Sequence, residues 1–235
     1  MSVTVIIRRA LDRFSTRDSG RQALHSFSFG SSYDPERVSF GPLFALDDHL
    51  LGHGRGYDAH EHSDVVLVTW VVFGELIHTD EAGTSTLGTG ELAVTRAGSG
   101  TTHSEYAGAA ATRFIQMWLR PGGTGADPVR ETAAPDPSGP GLVPVAGSSG
   151  LPLDVPGATL SIARLGAGET LRLPGAPLVH VFVVTGALLR SSLAEPLAAG
   201  DAFEISDESV TAAEGRDLSV TAAVPTQLLV WSFEE

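Results

Sequence analysis

The chain has 235 residues and is 42% hydrophobic, enough for one large or two small domains with a real core and too apolar for a disordered chain. Its net charge of −13 repels phosphate backbones and anionic membranes, so direct nucleic-acid and membrane binding are not expected. With no cysteine there are no disulfides, thiolate nucleophiles, zinc–thiolate sites or iron–sulfur clusters, and any metal must be held by His, Asp or Glu.

The opening stretch MSVTVIIRRALDRF turns charged after a few apolar residues. It has no signal core or cleavage site, and no apolar run is long enough to span a membrane, so a soluble cytoplasmic protein is expected. Residues 12–19 are expected to make a helical turn or two. Short runs rich in Val, Ile, Leu, Thr and aromatics predict strands at 3–8, 43–46, 65–73, 92–95 and 113–119. A second series follows at 160–165, 178–184, 202–205, 218–222 and 228–233. Glycine-containing turns separate most of them, which points to an all-β fold.

Between the two series, residues 121–157 hold eight of the fourteen prolines and eight glycines, with almost no periodic apolar pattern. This reads as a connection between two domains. The halves also look alike. VTWVVFGELIH turns at Gly74 and VFVVTGALLR turns at Gly186. Gly90-Glu91 follows the first glycine by sixteen residues, and Gly200-Asp201 follows the second by fourteen. FIQMWLR closes one half and LLVWSF the other. Three matches in the same order predict a duplicated domain. The expected architecture is two tandem cupin barrels: residues 1–120, the linker 121–157, and a degenerate second barrel over 158–235.

Seven of the eight histidines lie in the first half. His78 and Asp80 follow the Gly74 turn, where an exposed hairpin tip is expected. His25 is expected to be packed and hydrogen-bonded. Trp70, Trp118 and Trp231 read as core. His60 and His62 differ, because residues i and i+2 on a strand face the same way and both imidazoles can reach one ion. His103 and Glu105 repeat that spacing just after the Gly98-Ser99-Gly100 turn. Two such pairs on neighbouring strands would converge as a metal site. Three imidazoles and a carboxylate suit divalent iron, nickel, cobalt, manganese or copper better than calcium or magnesium.

The segments HSFSFGSSYDP, GYDAHEHSD, VVFGELIHTDEAG and GELAVTRAGSGTTHSEY resemble the pirin family, a branch of the bicupins. The resemblance is dense from about Arg21 to Leu119 and thin beyond. It implies a metal, usually iron, held by His60, His62, His103 and Glu105 in the N-terminal barrel. It also implies quercetin 2,3-dioxygenase activity, with a flavonol and O2 as substrates and Glu105 as the base. For the human member it implies a role as a transcriptional coregulator. Two departures stand out. Glu61 replaces the family's usual proline between the paired histidines and should point away from the metal. Val66 stands where the family tends to carry an acidic residue.

Three functions therefore compete: a metal-dependent oxygenase, a metal-dependent regulatory module that binds a protein partner without turnover, and a metal-assisted isomerase or hydrolase. The second half is expected to hold no metal. Gapless alignment sets His60 and His62 against Arg172 and Pro174, and His103 and Glu105 against Ala213 and Gly215. His180, the only histidine there, reads as a packed or partly exposed strand residue.

Overall fold

Among the described residues the regular elements are strands, apart from one 3-10 turn, Ala10–Asp12. The computed structural model describes residues 3–191, 194–206 and 218–234. In chain order the strands are β1 (Thr4–Arg8), β2 (Phe14–Asp18), β3 (Arg21–His25), β4 (Leu43–Leu51), β5 (Gly56–His62), β6 (Val66–Phe73), β7 (Glu75–Asp80), β8 (Gly83–Gly88), β9 (Leu92–Arg96), β10 (Thr101–Ala107), β11 (Thr112–Leu119) and β12 (Val129–Ala133). They continue with β13 (Val143–Ala146), β14 (Ala158–Leu165), β15 (Thr170–Arg172), β16 (Leu178–Thr185), β17 (Ala187–Leu188), β18 (Leu197–Ala198), β19 (Ala202–Ser206), β20 (Ser219–Thr221) and β21 (Thr226–Phe233). The fold is all-β, built as two cupin barrels.

The chain divides into two units. One comprises Arg13–Pro135 and Leu153–Val155; the other comprises Met1–Asp12, Asp136–Pro152 and Pro156–Glu235. In the first, a seven-stranded sheet runs β12-β9-β6-β11-β4-β3-β2, and a four-stranded sheet runs β5-β10-β7-β8. In the second, a six-stranded sheet runs β1-β19-β16-β21-β14-β13, with the ribbons β15-β20 and β17-β18.

Three elements differ from the sequence reading. Residues 14–18 form β2, paired antiparallel with β3, where a helical turn was expected. Phe14 sits opposite His25, and the edge of β3 takes up the backbone groups that a helix would have satisfied locally. The Pro/Gly-rich stretch 121–157 carries β12, which pairs with β9, and β13, which pairs with β14. Edge strands tolerate proline, which explains why the pattern there did not look like a strand. Finally, β1 pairs with β19 of the second unit, from Thr4 opposite Ser206 to Arg8 opposite Ala202.

The internal repeat holds at atomic detail. Gly74 and Gly186 both have φ +84°. A Cβ at Gly74 would lie 2.7 Å from Thr112 Oγ1, and one at Gly186 2.4 Å from Thr226 Oγ1. Each threonine bonds both backbone groups of the residue after its glycine: Thr112 with Glu75, Thr226 with Ala187. Gly90 N donates to Val71 O at 2.8 Å, and Gly200 N to Val183 O at 2.7 Å.

The two interiors are filled differently. The second is apolar, with Val179, Val181, Val183, Phe203, Leu228 and Val230 among its core. The first is plugged by Leu51, Val71, Leu76, Leu87, Ala93, Ala107 and Phe114. Beside that plug, polar residues occupy sheet positions that are valine in the repeat.

Candidate metal centre

β10 is the central ligand strand. It pairs with β5 on one side and β7 on the other, so three strands of the small sheet bring their histidines together. His103 is directly opposite His60, and Glu105 is opposite both Tyr57 and His78. Between these rungs β5 spends one residue more than β10, a bulge at Asp58 and Ala59. In a regular strand Tyr57 and His60 would face opposite ways; the bulge lets both face the cavity. Gly56 makes the close return possible, since a Cβ there would fall 2.0 Å from Glu105 O.

His60, His62 and His103 offer ring nitrogens that all lie within 4.8 Å of one another. His103, Glu105 and His78 form a second such group, so His103 belongs to both. Glu61 is exposed. His60 Nδ1 donates to Asp58 O at 2.7 Å, which leaves Nε2 bearing the lone pair. That Nε2 is 3.1 Å from His103 Nε2, and His62 Nε2 is buried without a hydrogen-bond partner. Buried imidazole nitrogens converging with too few protons to satisfy one another fit a cation.

Electrostatics agree. Burial holds the His103 imidazole down to about 4, with neighbouring His78, His60 and His62 acting the same way and Glu105 opposing. Burial and His60 lower His62. For Glu105, burial alone favours the neutral acid; His78, His103 and Gln116 outweigh it and bring the carboxyl to about 2. At neutral pH His62 and His103 are therefore neutral imidazoles and Glu105 is an anionic carboxylate, the protonation states of metal ligands.

His78 is buried, 3% exposed, and not at an exposed tip. Its Nε2 lies 3.1 Å from Asp80 Oδ2, and its Nδ1 lies 3.9 Å from Glu105 Oε1, beyond hydrogen-bond reach. The signal was available: His78 and Asp80 share the i, i+2 spacing that singled out the other pairs. Gln116 is the other residue the sequence reading missed. Its Nε2 donates to both Glu105 oxygens, at 3.2 and 3.0 Å, and its Oε1 accepts from Trp118 Nε1 at 3.0 Å. A lone amide in the run FIQMWL was the available clue. Trp118, read as core, is half-buried and lines the cavity, 4.9 Å from His62 between ring centroids. Val66 is buried in β6.

A cavity of about 420 Å³ opens against the cluster. Its lining includes His60, Glu105, Gln116 and Trp118 at the cluster, together with Thr16, Arg21, His25, Phe29, Asp47, His49 and Tyr57. Tyr57 OH lies 2.8 Å from His49 Nδ1. Burial pushes the Tyr57 phenol up to about 12, so it stays protonated, and burial lowers His49, which stays neutral.

The pirin family model matches residues 7–119. A "Putative quercetin 2,3-dioxygenase" of Mycobacterium tuberculosis is 39% identical over 243 residues, covering 98% of this chain and 96% of that one. The chain belongs to the pirin family. Pirin-family similarity extends to "Quercetin 2,3-dioxygenase" of Escherichia coli K12, 31% identical over 127 residues, 53% of this chain and 55% of that one. Among solved structures, a bacterial pirin of Escherichia coli in complex with nickel(II) superposes with a TM-score of 0.88. It covers 98% of this chain and 99% of its own at 24% identity, which establishes a shared pirin fold.

In the second unit, His180 is 1% exposed and held down to about 4 by burial and the Arg8 charge. In the place of β5, β15 buries Leu171 and exposes Arg172; just past it Leu173 is buried and Pro174 half-buried. Ala213 and Gly215 lie outside the described residues.

Proposed function

We propose that this chain is a metal-dependent dioxygenase that opens the ring of a flavonol-like substrate with O2. In this reading His60, His62, His103 and Glu105 hold one divalent transition metal, and Glu105 is also the base. The observation that carries the reading is the cluster of unsatisfied imidazole nitrogens beside a ligand-sized cavity with an aromatic wall. Iron is the first candidate, with nickel, cobalt, manganese or copper as alternatives; the nickel in the Escherichia coli pirin supports a divalent ion in this fold. When bound, the ion supplies Lewis-acid polarisation of a substrate oxygen and access to dioxygen.

The residues of the chain do the rest. Glu105 accepts the proton of the substrate hydroxyl at a carboxylate oxygen, and Gln116 fixes the plane of that carboxylate. With Glu105 at about 2 and a phenolic hydroxyl at roughly 10, the transfer is uphill by on the order of 10 kcal/mol in the absence of a cation. Proton abstraction therefore requires a substrate hydroxyl made acidic at the site. Tyr57, protonated, is a hydrogen-bond donor on the cavity wall. Phe114, Val71 and Leu76 close the barrel interior to water.

The test is to load the wild type with iron, nickel, cobalt and manganese in turn and follow oxygen uptake with flavonols and catechols. His103→Ala is expected to lose most of the metal after dialysis. Glu105→Gln is expected to lose turnover more completely than metal. If no metal form of the wild type consumes oxygen with any of these compounds, the oxygenase reading fails. A metal-dependent protein-binding module then becomes the better account.

A further inference from the structure

The cavity contains a polar row that neither metal binding nor proton abstraction uses in full. Backbone register sets Thr69, Gln116, Asp47 and His25 side by side on four neighbouring strands, β6, β11, β4 and β3. The last three line the cavity. Strands in a sheet lie about 4.8 Å apart, so His25 is on the order of 10 Å from Gln116, the residue that holds Glu105. The side chains at the far end brace one another. His25 Nδ1 is 3.0 Å from Asp47 Oδ1, His25 Nε2 is 3.0 Å from Thr16 Oγ1, and Phe29 stacks on the His25 ring at 4.3 Å and 8°. Asp47 is only 3% exposed.

The fold itself does not require this polarity. In the second barrel the positions matching Thr69 and Gln116 are Val181 and Val230, and the neighbour on the next strand is Ser161. A buried carboxylate is costly unless something compensates it. Here it faces a cavity whose other end carries the metal cluster.

We propose that Asp47, braced by His25 and Thr16, is a second recognition pole of the cavity. It accepts a phenolic hydroxyl on the ring of the substrate that lies farthest from the metal. This rests on the flavonol reading and narrows it to flavonols with a second hydroxyl on an outer ring, away from the metal-facing 3-hydroxyl. A carboxylate accepting from a phenol makes a charge-assisted bond, stronger than a neutral one. A ligand lacking the second hydroxyl leaves that acceptor desolvated and unpaired. The stacked Phe29–His25 pair forms the wall along which the far ring lies.

The test measures equilibrium binding to the nickel-loaded protein without oxygen, so that turnover does not enter. The probes are 3-hydroxyflavone, 3,7-dihydroxyflavone and 3,4′-dihydroxyflavone. At least one dihydroxy compound is expected to bind the wild type about tenfold tighter than 3-hydroxyflavone. Asp47→Leu, similar in volume, should abolish that advantage, read as the ratio of dihydroxy to 3-hydroxyflavone affinity within the variant. Should the leucine unfold the barrel, Asp47→Asn serves instead and should reduce the advantage about threefold. The proposal is overturned if both dihydroxy compounds bind the wild type no tighter than 3-hydroxyflavone, or if the variants keep the full advantage. In either case binding of 3-hydroxyflavone itself leaves the flavonol reading standing. If none of the three binds the wild type, the flavonol reading falls and takes the second pole with it.

Discussion

Replacing Gln116 by leucine removes the one amide that holds Glu105, with little change in side-chain volume. Two opposing effects follow. Without the donor the carboxylate becomes more basic, which by itself strengthens its bond to a cation. It also loses its orientation, because the Gln116 amide contacts at 3.2 and 3.0 Å fix its plane. A hydrogen bond to a charged group is worth about 1.5–3 kcal/mol, and partners that orient metal ligands typically change affinity about ten- to a hundredfold. Orientation should win, because Glu105 is 4% exposed and water cannot readily replace the amide. Trp118 Nε1 loses its acceptor as well. The expected result for Gln116→Leu is a ten- to hundredfold weaker metal Kd, read by competition with a chelator of known affinity. Wild-type affinity in Gln116→Leu would refute the view that this residue positions Glu105.

Two further predictions concern the framework. Gly56→Ala puts a Cβ 2.0 Å from Glu105 O and 2.6 Å from Tyr106 Cα. Urea unfolding should show a loss of about 1–3 kcal/mol, and metal affinity should fall because β5 has to move with His60 on it; unchanged values on both counts would remove the close-approach argument. His180, lowered to about 4 from its ordinary 6.5, binds its proton more readily when the chain is unfolded. Its contribution to stability is therefore full above about 6.5 and is lost as pH falls toward 4. The unfolding free energy of the wild type relative to His180→Leu should drop by about 3 kcal/mol between pH 7 and pH 4. A difference that stays constant with pH would mean the imidazole is not held neutral.

The sequence was most readable where chemistry and periodicity coincide. The i, i+2 pairs placed His60, His62, His103 and Glu105 on neighbouring strands, and the paired glycines at 74 and 186 exposed the repeat. It was less readable where register decides. The bulge at Asp58 and Ala59 changes which residues of β5 face inward, and no local pattern in GYDAHEH announces it. For the same reason the gapless alignment set His60 and His62 against Arg172 and Pro174, while the buried residues there are Leu171 and Leu173. His78 was misplaced because a residue after a turn was assumed to be exposed; β10 and β8 flank it on both sides. The edge strands β2 and β12 were missed because strands of that kind depend on a neighbour for their backbone hydrogen bonds.

The pairing of β1 with β19 bears on how the protein is made. Thr4 meets Ser206, so the strand leaves the ribosome about two hundred residues before its partner. At 5–20 residues per second, that is a wait of roughly 10–40 s. During it, β1 is an unpaired edge carrying Val5, Ile6 and Ile7 in a row, a template for the wrong neighbour. The second barrel cannot complete its sheet during synthesis by folding in the order its residues emerge. One edge of that sheet is filled by a segment made about two hundred residues earlier, and it is during that interval that a chaperone, or crowding by other nascent chains, acts on the yield.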